Sequence, residues 1–281
     1  MPTGGLMAIY AHPDDETFGV GGTMAHYAGR GIPVTMICAT RGEVGEIAKG
    51  SDATPETLGA YREQELRDAM AILGVLDVRF LEFRDSGMAG TPENADPRAL
   101  HNASAEQVVA PLVAAIRERR PEVICTWDES GGYGHPDHVA VHHHATAAFH
   151  AAADPSRFPD AGAPWATPRL FYTAFPMEEF AKIMEAMREH GIEAPGFSDS
   201  DGESNISELP RVEPNCIIDV SDYFDEKMRA MLSHSTQITP DDPFMRLPDD
   251  LKRSFFGHEY FHRAHPPLPD GVTINDFMAK A

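Results

Sequence analysis

Two short stretches gather side chains that could do chemistry. Residues 11–16 read AHPDDE, and residues 131–138 read GGYGHPDH. Carboxylates this dense are costly to bury unless they are paired or bound to a cation. A divalent metal resolves that conflict. Zinc takes nitrogen, oxygen or sulfur ligands, and a catalytic zinc site combines three protein ligands with one position open to water. His12 and Asp15 lie three apart in one turn and can face the same ion, and His138 can supply a third ligand from the second stretch. Asp14 is then free to act as general base toward the water that the metal activates. The bland alternative for AHPDDE is a polar turn in which Asp14 or Asp15 caps the next helix. Asp137 reads as a cap or as a support for a ligand.

These stretches are useful only if the fold brings them together. Leu6 to Ala11 is a short apolar run that ends at AHPDDE, and Val123 to Thr126 is another that ends just before GGYGHPDH. Between them, Val34 to Ala39 and Val78 to Phe83 read as strands. Gly21 to Gly29 reads as a helix. A second helix starts at Thr54-Pro55-Glu56 and ends at Gly74, and a third carries a Ser104/Gln107 capping box and runs to about Arg119. Pro136 to Ala152 follows as an Ala- and His-rich helix. Alternating strands and helices predict an α/β fold, Rossmann-like, with a mainly parallel sheet and helices on both faces. The usual strand order for four such units, 3-2-1-4, sets the first and fourth strands side by side. Ligands bind at the crevice between their C-terminal ends.

The expected division is a metal-binding core over residues 1–165 and a smaller α+β part over residues 166–281 that completes the pocket. In that second part Leu170 to Ala174 and Cys216 to Val220 read as strands, and Met177 to His190 and Phe224 to Ser233 as helices. Residues 193–213 read as a long polar loop, and AHPPLPDG as extended and exposed. No internal repeat is visible.

The formal charge is -21, from 44 acidic residues against 23 Lys and Arg, which argues against nucleic acid and anionic membranes as partners. No run of about 18 apolar residues occurs and the N-terminus lacks a basic region, so the expected setting is the cytoplasm. Cys38, Cys125 and Cys216 each sit in an apolar run and read as reduced, buried thiols. A homo-oligomer is compatible with the sequence, which does not specify one.

AHPDDE followed by HPDH resembles the LmbE-like, or PIG-L-type, de-N-acetylase family, zinc hydrolases of Rossmann-like fold that act on N-acylated sugars. The resemblance implies His12, Asp15 and His138 as metal ligands and Asp14 as base. It implies His135 as oxyanion stabiliser or proton donor, and Tyr133 as a group that polarises the carbonyl. ATRGEVGE, YREQELRDAMAILGV and FRDSGMAGTPEN are similar to parts of one subgroup, the deacetylases and amidases of mycothiol metabolism. By that likeness Arg62 and Asp85 contact sugar hydroxyls, and Glu43 is a weaker contact. The implied substrate is a small N-acylated sugar of N-acetylglucosaminyl type, with a thiol conjugate cleaved as an amide as the alternative. The implied cofactor is Zn2+, and Fe2+ also suits two His and one carboxylate.

Three other features enter the reading. His142 lies four residues beyond His138 on the same helix face, and His234 in LSHSTQ reads as a packed or surface residue or as a contributor to the site from the C-terminal part. Arg62 and Asp85 have an alternative reading as an ion pair with each other. A rival class, a nucleotide-binding oxidoreductase, draws on Gly19, Gly21 and Gly22, but the carboxylates of the preceding turn would repel a pyrophosphate.

Overall fold

The computed structural model describes residues 3–193 and 211–279. Most of the predicted loop 193–213 lies outside the described residues. The strands are β1 (Leu6–Tyr10), β2 (Val34–Thr40), β3 (Asp77–Phe83), β4 (Val123–Thr126), β5 (Arg169–Thr173), β6 (Cys216–Asp219) and β7 (His258–His265). They form one sheet in the order β3-β2-β1-β4-β5-β7-β6. The first five are mutually parallel, and β7 runs antiparallel to both β5 and β6. The order 3-2-1-4 is therefore observed, and β1 and β4 are neighbours. Every residue of β1, β2 and β4 is buried. Successive strand residues point to opposite faces, so burial of all of them means that both faces are covered.

The helices are α1 (Asp15–Gly19), α2 (Gly21–Gly29), α3 (Leu58–Ile72), α4 (Ala105–Arg119), α5 (Gly131–Gly134), α6 (Pro136–Ala153), α7 (Met177–Glu189), α8 (Phe224–Ser233) and α9 (Asp249–Phe256). The predicted box at the start of α4 is present, with Ser104 and Gln107 bonding reciprocally. Helix α3 begins three residues later than Thr54-Pro55-Glu56 suggested. Thr54 donates its N–H to Thr57 Oγ1 at 2.8 Å and accepts the N–H of Thr57 at 2.9 Å, closing a separate turn first. The cysteines are free and buried, as expected.

The C-terminal strands extend the same sheet. Helices α7, α8 and α9 form a second apolar cluster around Met187, Phe224, Met231, Phe244 and Phe256. Strand β7 was not foreseen. Its inward residues alternate correctly, but two of them, Glu259 and Arg263, are charged and buried, so the pattern reads as polar. Among the described residues no helix is long and apolar enough to cross a membrane.

Candidate metal-dependent active site

The two motifs meet at the C-terminal ends of β1 and β4. His12 follows β1, and Asp15 opens α1. His138 stands in the first turn of α6, after the glycine turn of α5. Gly131 has φ +65°, and a Cβ there would lie 2.5 Å from His138 Cβ, so only glycine lets that turn close on the imidazole. His12 Nδ1 lies 3.1 Å from His138 Nε2, His138 Nε2 lies 3.2 Å from Asp15 Oδ1, and His12 Nδ1 lies 3.7 Å from Asp15 Oδ2. All three residues are buried.

The partners of the far ring nitrogens fix where the protons sit. His138 Nδ1 donates to the Gly131 carbonyl at 3.0 Å, which can only accept. His12 Nε2 donates to Asp137 Oδ2 at 3.2 Å and faces Asp85 Oδ1 at 3.4 Å. Each imidazole, when neutral, therefore turns a bare lone pair toward the other, with a carboxylate beside them. Such an arrangement repels itself unless a positive charge lies there. Burial works against charge on His12, but Asp85, Asp137 and Asp15 outweigh it and raise its pKa well above the ordinary imidazole range. Burial likewise opposes ionisation of Asp15, and His138 and His12 overcome it to hold Asp15 below the usual carboxylate range. The donor set fits a divalent cation. Among the described residues, His12 with His135 and His138, and His12 with Asp85 and Asp137, bring possible ligand atoms within 4.8 Å of one another.

Asp137 is wholly buried. It accepts from Ser86 N at 2.8 Å and His101 N at 3.2 Å as well as from His12, the contact expected of a group that orients that imidazole. His135 is the N-cap of α6. Its Nδ1 accepts the Asp137 N–H at 3.2 Å, which leaves the proton on Nε2. Burial, then the charges of His12 and His138, push its pKa down to about 2, so the ring is neutral. The Tyr133 ring centroid lies 5.0 Å from that of His138 and 6.2 Å from that of His135.

Asp14 adopts φ +113°, a strained conformation for a residue with a side chain. Several groups hold it there. Its N–H donates to Glu16 Oε2 at 2.9 Å, and its carbonyl accepts from Thr17 Oγ1 at 2.8 Å. Arg62 Nη2 donates to the Pro13 carbonyl at 2.6 Å and to Asp14 Oδ2 at 3.1 Å, and Nη1 to the Gly42 carbonyl at 2.9 Å. A Cβ at Gly42 would strike the guanidinium at 2.3 Å. Burial raises the Asp14 pKa to about 6, against the lowering effect of Arg62.

The alternative pairing of Arg62 with Asp85 is not what forms. Arg62 is buried against Asp14, while Asp85 accepts the Gly87 N–H at 2.9 Å beside His12. Glu43 reaches the same corner, accepting the Asp85 N–H at 3.1 Å. His142 is not brought to the cluster: its Nδ1 donates to the Trp127 carbonyl at 2.9 Å.

Sequence reasoning assigned no role to Glu16. It is fully buried, and its Oε1 accepts from His234 Nε2 at 2.8 Å, also fully buried. Burial would lower the His234 pKa, and the Glu16 carboxylate reverses this and raises it. The C-terminal part thus clamps the first motif through a contact 218 residues apart in sequence. An acid in the turn that closes a fully apolar strand was the available signal.

Residues 7–149 match the family described as PIG-L: GlcNAc-PI de-N-acetylase. The chain belongs to that family. It is 41% identical over 273 residues to 1D-myo-inositol 2-acetamido-2-deoxy-alpha-D-glucopyranoside deacetylase from Geodermatophilus obscurus, covering 92% of both chains. N,N'-diacetylchitobiose deacetylase from Pyrococcus horikoshii has a similar structure, with a TM-score of 0.64 and 20% identity over 92% of this chain and 82% of that one. A 4-carboxy-2-hydroxymuconate hydratase from Pseudomonas putida also has a TM-score of 0.64, at 17% identity, covering 97% of this chain and 100% of that one. The shared fold therefore does not decide the chemistry. Kinship and the His/Asp cluster do, and they agree on a hydrolytic enzyme of metal-assisted deacetylase type.

Proposed function

We propose that this PIG-L family enzyme hydrolyses the N-acetyl amide of an N-acetylglucosaminyl sugar, with zinc held by His12, Asp15 and His138. The observation that carries this reading is the pair of facing imidazole nitrogens, 3.1 Å apart, with Asp15 alongside. Asp15 is preferred to His135 as the third ligand because the His135 Nδ1 lone pair is already engaged by the Asp137 N–H. Zinc bound there would supply Lewis acidity, polarising the amide carbonyl and lowering the pKa of a water toward about 7.

The side chains do the rest. Asp14, oriented by Arg62 and partly open to the cavity, accepts the proton of the attacking water. His135 Nε2–H and the Tyr133 hydroxyl stabilise the oxygen that gains charge as the carbonyl carbon becomes tetrahedral. The C–N bond then breaks, and Asp14 or His135 returns a proton to the departing amine. Glu43, Asp85 and Arg62 form the proposed sugar side, with Glu43 the most accessible of the three.

A panel of N-acetylated sugars, assayed for free amine and acetate with the zinc-loaded enzyme, tests the proposal. Stoichiometric release from an N-acetylglucosaminyl-inositol or a related glycoside is expected. Turnover of thiol conjugates alone would favour the amidase alternative.

A further inference from the structure

The chain has a formal charge of -21, and its arginines meet carboxylates readily. Arg41, Arg62, Arg79 and Arg119 all do so. Two arginines far from the catalytic cluster do not. Arg263, near the end of β7, is buried, with 3% of its surface exposed. Its Nε and Nη1 are sealed from solvent and find no hydrogen-bond partner among the described residues. Arg169, half-buried, opens β5 and donates from Nη2 to the Met278 carbonyl at 3.3 Å. It forms no ion pair among the described residues.

The sheet brings these two side chains together. Phe171 of β5 pairs with Arg263 across the antiparallel ladder, and Arg169 lies two residues before Phe171. Residues two apart on a strand share a face, and so do cross-strand partners. Both guanidiniums therefore rise from one face, at the end of the sheet opposite the His/Asp cluster. The C-terminal segment covers that face. Phe277 packs on Phe171 at 4.2 Å and on Phe261 at 4.6 Å between ring centroids. Ile274 N donates to the Asn215 carbonyl at 3.0 Å, and Asn215 Oδ1 accepts the Arg263 backbone N–H at 2.7 Å.

Burial first, and then the charge of Arg169, lower the Arg263 pKa, and among the described residues only the Cys216 thiol opposes them. An arginine nonetheless stays charged near neutral pH. Burying a guanidinium without a counter-charge is strongly unfavourable. Two neighbouring guanidiniums call for two negative charges, and their forked donors match the oxygens of a phosphate.

We infer that Arg263 and Arg169 form a binding site for a doubly charged oxyanion of phosphate type, between the β5–β7 face and the segment 274–278. The anion accepts from both guanidiniums and ties the C-terminal segment to the sheet through Arg169, which also holds Met278. No bond is made or broken there, and the site does not depend on the amide-hydrolase reading.

Thermal unfolding at fixed ionic strength tests it, with phosphate, sulfate, glycerol phosphate, acetate or chloride added to a buffer free of multivalent anions. Phosphate and sulfate should raise Tm by about 2–4 °C in a saturable way. Acetate should bind at least about tenfold more weakly, and chloride should have no effect. Glycerol phosphate separates the sources: a shift equal to that of phosphate marks a phosphoryl group carried by a larger ligand, and no shift marks the free ion. Arg263→Met removes the buried charge and keeps the length of the side chain. It should abolish the phosphate response and, without anion, unfold at the same temperature or higher. Arg169→Met should weaken phosphate binding at least about tenfold, and it serves as the test if the first variant does not fold. Amide turnover should be unchanged in both. A natural chain whose Tm ignores phosphate and sulfate overturns the site, as does acetate binding as tightly as phosphate. A full phosphate response in Arg263→Met places the anion elsewhere and also overturns it, and loss of that response in His12→Ala would assign it to the catalytic cluster.

Discussion

The molecule gathers charge at both ends of its sheet, and the two ends are built on opposite principles. At the N-terminal end of β3, Asp77 accepts from Arg119 Nε at 2.6 Å, Arg79 Nε at 3.1 Å and Thr35 Oγ1 at 3.0 Å, and Glu118 pairs with Arg79 at 2.7 Å. Two carboxylates meet two guanidiniums, and the ledger balances. At the C-terminal ends of β1 and β4, Asp14, Asp15, Asp85 and Asp137 crowd together, and among the described residues Arg62 is the one guanidinium that pairs with any of them. When neutral, the imidazoles there turn lone pairs toward each other. The first cluster is complete in itself, whereas the second has a donor set that fits a divalent cation. Incomplete charge, held by a rigid frame, is what makes a buried polar cluster a site and not a staple.

The largest expected contrast comes from removing a member of each cluster. His12→Ala, Asp15→Ala or His138→Ala should abolish zinc retention and lower kcat/KM by at least about a thousandfold, the scale of a metal's several kcal/mol of transition-state stabilisation. Elemental analysis and amine release check both. Next comes Asp14→Asn, expected to keep the metal and lose roughly a hundredfold to ten-thousandfold in kcat, with KM little changed. A variant that loses the metal as well would move Asp14 from base to ligand.

A smaller effect should follow at the clamp. His234→Ala leaves the Glu16 carboxylate buried without its partner, which should lower stability by about 3 kcal/mol. Because Glu16 holds the Asp14 backbone in its strained conformation, kcat should fall roughly tenfold to a hundredfold while zinc content is kept. Chemical denaturation, elemental analysis and steady-state kinetics separate these effects. An unchanged kcat in a folded variant would reduce the clamp to a structural pair.

The smallest functional effect belongs to the balanced cluster. Asp77→Asn should cost roughly 3 kcal/mol of stability and leave kcat unaltered. Burial alone would raise the Asp77 pKa, but Arg119, then Arg79, outweigh it and hold the group below its ordinary value of 3.8. A carboxyl lowered by folding contributes stability that is full above its unfolded pKa and is lost as pH falls through the folded one. The difference in Tm between the natural chain and Asp77→Asn should therefore be constant above about pH 4 and should shrink on further acidification.

Much of the site was legible because its residues sit in two contiguous motifs at strand ends, where an α/β topology must place them. His12, Asp15 and His138 could be brought together on paper because 3-2-1-4 order makes β1 and β4 neighbours. Arg62 was expected as a sugar contact or as the partner of Asp85, and its pairing with Asp14 was not legible, since whether a guanidinium meets Asp14 or Asp85 depends on a backbone turn at φ +113° that no periodicity encodes. The Glu16–His234 contact joins residues too far apart for local pattern to relate. Strand β7 was hidden for a related reason: Glu259 and Arg263 on its inner face pair or pack with groups from distant elements, so alternation of burial is not alternation of hydropathy.

The most direct test is zinc stoichiometry and coordination in the purified chain, measured by elemental analysis with X-ray absorption at the zinc edge. One zinc per chain is expected, with two imidazole nitrogens and oxygen donors in its first shell, and one imidazole fewer in His138→Ala when zinc is forced to bind. A chain that hydrolyses its amide at full rate after metal is stripped below stoichiometric traces, or a zinc shell unchanged by loss of His138, would contradict the account.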